Sequence, residues 1–232
     1  MTPVDDWFST DGWDDTEEYS NELDKQREQS QNFILDFWLD DGESAVVRFL
    51  NEEPVTFRQH YIPGAKNEKF YTCLEGTTDE DGNRVQCPFC SAGNKPSFRG
   101  GFLIVDRSKD TWESNGEQRE ATNQIKLFTQ GIKVMKVLKG LAEKRDLTQW
   151  DMEITRTGTG TETQYNFIPE EEFELSEEVK EKVEDVKDGR TIKEVIIEEI
   201  EPVSLEKALQ IMGGRGDQKQ KYKGGDEESV PY

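Results

Sequence analysis

The 232-residue chain is short of histidine, cysteine and positive charge: it holds one His, three Cys and 29 Lys+Arg against 50 Asp+Glu. A single histidine leaves little material for acid–base catalysis. Three cysteines are an odd number, so a disulfide framework would leave one thiol unpaired, and the count points to a reducing compartment. Long hydrophobic runs are missing too. No segment approaches the roughly 20 apolar residues of a membrane-spanning helix. The first residues, "MTPVDDWF", are acidic where a secretion signal is basic and then apolar. A soluble, cytoplasmic protein is expected. With 32% apolar and 34% charged residues, not every segment can pack, so one modest core with polar extensions is expected.

The net charge of −21 argues against nucleic acid, because phosphate binding needs cations, but the charge is unevenly spread. Residues 1–56 carry 3 basic and 16 acidic side chains, residues 57–157 carry 16 and 14, and residues 158–232 carry 10 and 20. A near-neutral middle with basic clusters lies between two acidic arms. The arms serve either to keep the protein soluble or to meet partners.

Alternation of apolar residues predicts strands near 33–39 and 45–49, joined as a hairpin by Asp41-Gly42, with Phe33, Leu35, Phe37 and Leu39 on one face of the first. "GGFLIVDRS" and "NQIKLFT" read as two further strands around a polar loop, "KDTWESNGEQREA". Ile132, Met135, Leu138 and Leu141 then mark an amphipathic helix to about Arg145. A closing hairpin has strands near 151–157 and 162–168. This element content predicts a mainly β fold, an OB-fold-like five-stranded barrel with one amphipathic helix and acidic N- and C-terminal extensions. The expected divisions are an acidic N-terminal arm at 1–31 and a core at 32–169 with a loop-rich insertion at 57–99. An acidic, partly helical peripheral region follows at 170–212, and a disordered tail at 213–232.

The few histidines and cysteines are all in the insertion. His60, Cys73, Cys87 and Cys90 follow the spacing H-x12-C-x13-C-x2-C. A C-x-x-C turn brings two thiolates to one ion, and the distant His and Cys complete a tetrahedron. Three Cys and one His with no spare ligand describe one structural Zn2+, stapling a segment too poor in apolar residues to fold by itself. The competing reading, a redox dithiol, expects the pair to open a helix inside a βαβ unit, whereas Pro88-Phe89 reads as irregular.

Basic and aromatic residues interleave through this insertion and after it: Arg58, Tyr61, Lys66, Lys69, Phe70 and Tyr71, then Lys95, Phe98 and Arg99, then Arg107, Lys126 and Arg156. Single-strand binders use this pairing, cations following the backbone while rings stack on bases. Phe102, Phe128 and Phe167 fit buried core positions instead. The C-terminus "GGDEESVPY" places Asp226, Glu227 and Glu228 before Pro231 and Tyr232. Such a segment suits a basic groove or an apolar, basic pocket on a partner, or is merely a solvated tail.

Taken together, His60, Cys73, Cys87-Pro-Phe-Cys90, the basic-aromatic run, "DMEITRTGTGTETQYNFIP" and the terminal "DEESVPY" resemble the zinc-containing single-stranded DNA-binding proteins of bacteriophages, the helix-destabilising type of T-even phages. The resemblance spans about residues 32–168 and the tail. Two departures stand out: a longer gap between Cys73 and Cys87, and an acidic rather than basic N-terminus. The resemblance implies an OB core, zinc on the four residues named, and sequence-independent binding of single-stranded DNA in phage replication, recombination and repair. It also implies recruitment of polymerase, primase or helicase through the tail, and a place in the host cytoplasm. Neither a catalytic step nor a small-molecule substrate is expected. The alternative is a zinc-ribbon protein-interaction module or transcription or assembly factor, with a metal-dependent nuclease or thiol oxidoreductase third.

Overall fold

A computed structural model describes residues 34–63, 69–79, 82–114, 117–172 and 174–213. The chain divides into two units, Met1–Ile34 and Leu35–Tyr232, and the elements named here belong to the second. The acidic arm at 1–31, Lys66 and the tail residues Asp226, Glu227, Glu228, Pro231 and Tyr232 lie outside the described residues. The fold is mainly β. In chain order come β1 (Leu35–Asp36), β2 (Ser44–Phe49), β3 (Val55–Tyr61), β4 (Phe70–Thr72), α1 (Pro88–Ser91) and β5 (Ser97–Asp106). They are followed by β6 (Asp110–Ser114), β7 (Glu117–Ala121), β8 (Gln124–Gly131), α2 (Ile132–Ala142), β9 (Trp150–Thr157) and β10 (Gln164–Glu172). Three helices end the described chain: α3 (Glu177–Lys187), α4 (Ile192–Glu199) and α5 (Leu205–Gly213). Among the described residues no helix is long and apolar enough to cross a membrane.

One mixed sheet runs in the order β1-β8-β5-β2-β9-β10, with β3 added to β5 and β4 to β3. The ten-residue β5 organises it. Its residues Arg99 to Asp106 pair with β8, its first half with β3 (Val55 opposite Gly101), and its last residues with β2 (Phe49 opposite Ile104). Thus β2 and β3 follow one edge of β5 in succession, interrupted at residues 50–54. Asn51 bridges the interruption: its Oδ1 accepts from Leu103 N at 2.9 Å, and its Nδ2 donates to Glu53 O at 2.7 Å.

The sheet coils strongly. Three strands separate β8 from β10 in the ladder, which in a flat sheet would hold them about 19 Å apart at ~4.8 Å per strand. Yet Phe128 on β8 meets Tyr165 and Phe167 on β10 at centroid distances of 6.2 and 6.4 Å. Phe37 and Phe49 pack against the same ring at 5.7 and 6.1 Å, all edge-on. The core inside this curl adds Phe102, Ile104, Met152 and Ile154, with Met135 and Leu138 of α2.

Several expectations are corrected. The barrel is not closed: among the described residues no ladder joins β8 to β10, and β1 pairs in parallel along the free edge of β8. Among the described residues β1 does not pair with β2, so the expected hairpin is not formed there. Phe37 and Leu39 reach the core, but Leu35 is exposed because β1 lies on the sheet edge. Ile132 is likewise exposed, as the first residue of α2, and Leu147 is buried in the same core. The polar loop after β5 is a β6–β7 ribbon, and the loop-rich insertion holds most of β3 together with β4, α1 and the start of β5. These strands are held by backbone ladders and carry little of the apolar alternation that marks a strand over a core.

Candidate metal centre and aromatic edge

The metal-binding constellation is assembled on the outer half of the sheet. His60 sits on β3 opposite Tyr71 of β4, and Cys73 follows β4 directly. Cys87 precedes α1, and Pro88 suits the first helical position because its missing N–H is not needed there. Cys90 then falls one helical turn later. The C-x-x-C pair thus does open a short helix, against expectation, but its surroundings are a ladder and a turn.

The four side chains converge. His60 and Cys87 are fully buried, Cys73 nearly so and Cys90 half-buried, and their ligand atoms lie within 4.8 Å of one another. Cys73 Sγ is 3.6 Å from Cys90 Sγ, far beyond the ~2.05 Å of a disulfide. His60 Nε2 is 3.5 Å from Cys87 Sγ and 3.6 Å from Cys90 Sγ. Metal–ligand bonds of about 2.3 Å to sulfur and 2.0 Å to nitrogen in a tetrahedron require edges of roughly 3.8 and 3.6 Å. The observed spacings fit that figure, so this buried group lies close enough to hold one metal ion.

Hydrogen bonds orient the ligands. Asn94 Nδ2 donates to Tyr61 O at 2.9 Å, which turns its Oδ1 toward His60 Nδ1, also at 2.9 Å. Nδ1 must then carry the proton, leaving the Nε2 lone pair toward the thiols. Glu75 N donates to Cys73 Sγ at 3.4 Å. Burial raises the Cys73 thiol above its ordinary value and, with its two sulfur neighbours, pushes Cys90 up to about 12. Burial acts the same way on Cys87, but backbone N–H groups of Cys90, Leu74 and Phe89 outweigh it and lower that thiol. The Cys73 and Cys90 thiols therefore resist ionising beside the other sulfurs unless a cation joins them.

A second core surrounds this group: Ile62, Tyr71, Leu74, Phe89 and Ala208, with Val203, Ile211 and Met212 partly buried against them. Sequence reading assigned residues 170–212 to the periphery without saying what they pack on. α5 in fact closes the metal module, while α3 and α4 lie over the outer face of the sheet, with Val179 and Val183 against Val105 and Ile196 beside Gly101. The continuous "FLIV" of β5 was the available signal, since an uninterrupted apolar strand is covered on both faces.

The edge of the module outside the core is aromatic and basic. Tyr61 and Phe70, opposite each other on β3 and β4, are exposed with centroids 5.3 Å apart. The Arg99 guanidinium lies 5.5 Å from the Phe70 centroid. Burial lowers the Arg99 pKa, with Tyr165 opposing. Phe98 and Arg58, opposite each other on β5 and β3, are exposed, as are Lys69 and Lys95.

Other candidates are placed elsewhere. Tyr71 is buried and stacked on Phe89 at 5.6 Å, so its ring belongs to the second core. Lys126 bonds Asp106 and Asp110 at 2.8 and 2.6 Å; burial alone would lower its pKa, but these carboxylates raise it. Arg107 donates to Asn123 and Asp151 at 3.0 and 3.3 Å. Both cations are thereby committed within the chain. Arg156 is buried, 5.0 Å beneath the Trp38 ring, and Trp38 is a residue that sequence reading passed over.

With this geometry established, the chain was compared with protein-family models, curated proteins and solved structures. None of the three matches it.

Proposed function

We propose that the protein binds single-stranded DNA without sequence specificity and has no catalytic step. One observation carries the reading: the β3–β4–β5 ladder that brings His60 to the three cysteines also leaves Tyr61 and Phe70 exposed on one face, with Arg99 against Phe70, and leaves Phe98, Arg58, Lys69 and Lys95 exposed as well. Rings would stack on bases while the cations neutralise phosphates. The strand order supports an OB-type barrel. A split first strand (β2, β3) pairs with both the second (β5) and the fourth (β9), the helix α2 stands between third and fourth, and the last seam is left open. Three sulfurs and one imidazole in a closed tetrahedral set favour Zn2+, held by His60, Cys73, Cys87 and Cys90, which would fix the module and expose no open position.

Preferential binding to single strands would destabilise duplex by mass action, a property suited to phage replication, recombination and repair. The acidic tail, Asp226 to Tyr232, is proposed to recruit replication proteins such as polymerase, primase or helicase. The deciding test is anisotropy of a labelled oligo-dT, competed with duplex of equal length at two salt concentrations. Salt-weakened binding that duplex competes poorly supports the proposal. No binding at low salt, with zinc bound and the tail removed, rejects it in favour of a zinc-stapled protein-interaction module.

A further inference from the structure

Trp38 is 64% exposed, more than any other large apolar side chain among the described residues. It sits just past the end of β1, between Phe37 and Leu39, which are both buried while its own side chain faces outward. Its indole is nonetheless held in place. Nε1 donates toward Asp40 Oδ1 at 3.4 Å, and the guanidinium of Arg156 lies 5.0 Å from the ring centroid. Arg156 is only 8% exposed, its Nε finds no hydrogen-bond partner, and among the described residues no carboxylate forms an ion pair with it. A buried cation without an anion is costly.

The backbone around the pair is tied down. Gly42 N donates to Arg156 O, and Arg156 N donates to Glu43 O. Gly158 N donates to Asp41 Oδ1 at 2.7 Å, which joins the turn at 41–42 to the β9–β10 connection. By ladder register this place is at the start of β2, whereas Tyr61 and Phe70 stand beyond the far end of the same β2–β3 path. The two aromatic sites are separate.

We infer that Trp38 is a second base-stacking platform: Arg156 supports one face of the indole, and an unpaired nucleobase of a single strand stacks on the other. A cation beneath the ring fixes its plane in advance and draws the adjoining phosphate, so the base meets a surface that is already ordered. Arg156 is a positioning residue here. The inference rests on the single-strand reading and deepens it, adding a contact that the metal module does not supply.

The test uses the full-length, metal-loaded protein and a 16-residue oligo-dT. Tryptophan emission and anisotropy are followed for the wild type and for Trp38→Phe, Trp38→Ala, Arg156→Gln and Arg156→Lys. Stacking predicts emission quenching in the wild type that Trp38→Phe loses, and an affinity lowered roughly 5- to 100-fold in Trp38→Ala. Arg156→Gln should lose the quenching, and Arg156→Lys, which keeps the cation, should regain it. Circular dichroism melts of Trp38→Phe should overlay the wild type. Wild-type binding with undiminished quenching in Trp38→Phe and undiminished affinity in Trp38→Ala overturns the platform alone. Failure of the wild type to bind overturns the single-strand reading as well.

Discussion

Asn94 controls a proton on which metal binding by the candidate cluster would depend. Because its amide is anchored to Tyr61 O, it accepts from His60 Nδ1 and keeps Nε2 free for a metal. Replacing Asn94 with Leu removes the acceptor without touching a ligand. Metal affinity should fall about 10- to 100-fold, measured by competition with a chromogenic chelator, while Asn94→Asp, which keeps an acceptor, should retain most of it. In the curled sheet, Phe128 holds a comparable position, meeting the rings of Phe37, Phe49, Tyr165 and Phe167. Phe128→Ala is expected to cost about 3–5 kcal/mol in a denaturant titration. Both roles differ in how far they could be read beforehand. The four ligands and the burial of Phe128 were legible, since rare residues clustered and apolar ones alternated. Asn94 was not, because a hydrogen bond to the far side of an imidazole leaves no mark on spacing.

Among the elements, α4 shows local rules at work. Thr191 and Glu194 form a reciprocal capping box: Thr191 Oγ1 accepts from Glu194 N at 3.2 Å, and Glu194 Oε2 accepts from Thr191 N at 2.8 Å. Thr191→Ala should destabilise the protein by about 1 kcal/mol at neutral pH, seen as a lowered thermal midpoint. The backbone N–H of Thr191, and then its hydroxyl, hold the Glu194 carboxyl below its usual range. A depressed folded pKa gives stability that is complete above the unfolded value and disappears as pH falls through the folded one. The stability gap between wild type and Glu194→Gln should therefore narrow on acidification below the ordinary glutamate range. Strands over the core inside the curl were readable from their period, and the helix α2 from its stripe. β3, β4 and the β6–β7 ribbon were not, because their ladders run beyond the core and need no apolar face. Asn115-Gly116, a favoured hairpin dipeptide, was the one local signal for the ribbon.

At the scale of the whole molecule, two of the buried clusters on the sheet share no buried side chain: one inside the curl around Phe128, the other around the four candidate metal-binding residues. Under the proposed zinc occupancy, chelation should therefore unfold the molecule in part. Limited proteolysis is expected to open cleavage sites between Ile62 and Lys95 while the curl remains resistant. Cleavage spread evenly over both halves, or an unchanged pattern, would contradict that division. The overall β architecture was legible from composition and spacing. The open seam was not, since closure depends on whether β1 or β10 reaches β8, a competition between edges that a one-dimensional pattern does not contain.

The interruption at residues 50–54 has a consequence for how such a molecule can change. Asn51 satisfies Leu103 with its side chain, so the ladder on one side of the joint does not dictate the register on the other. The metal half, taken with α5 as its cover, is in effect a cassette. Its connections can lengthen, as between Cys73 and Cys87, without shifting the pairs that β2 makes with β5 and β9. A lineage carrying this architecture could alter what it grips by replacing the outer half, and inherit the inner half unaltered.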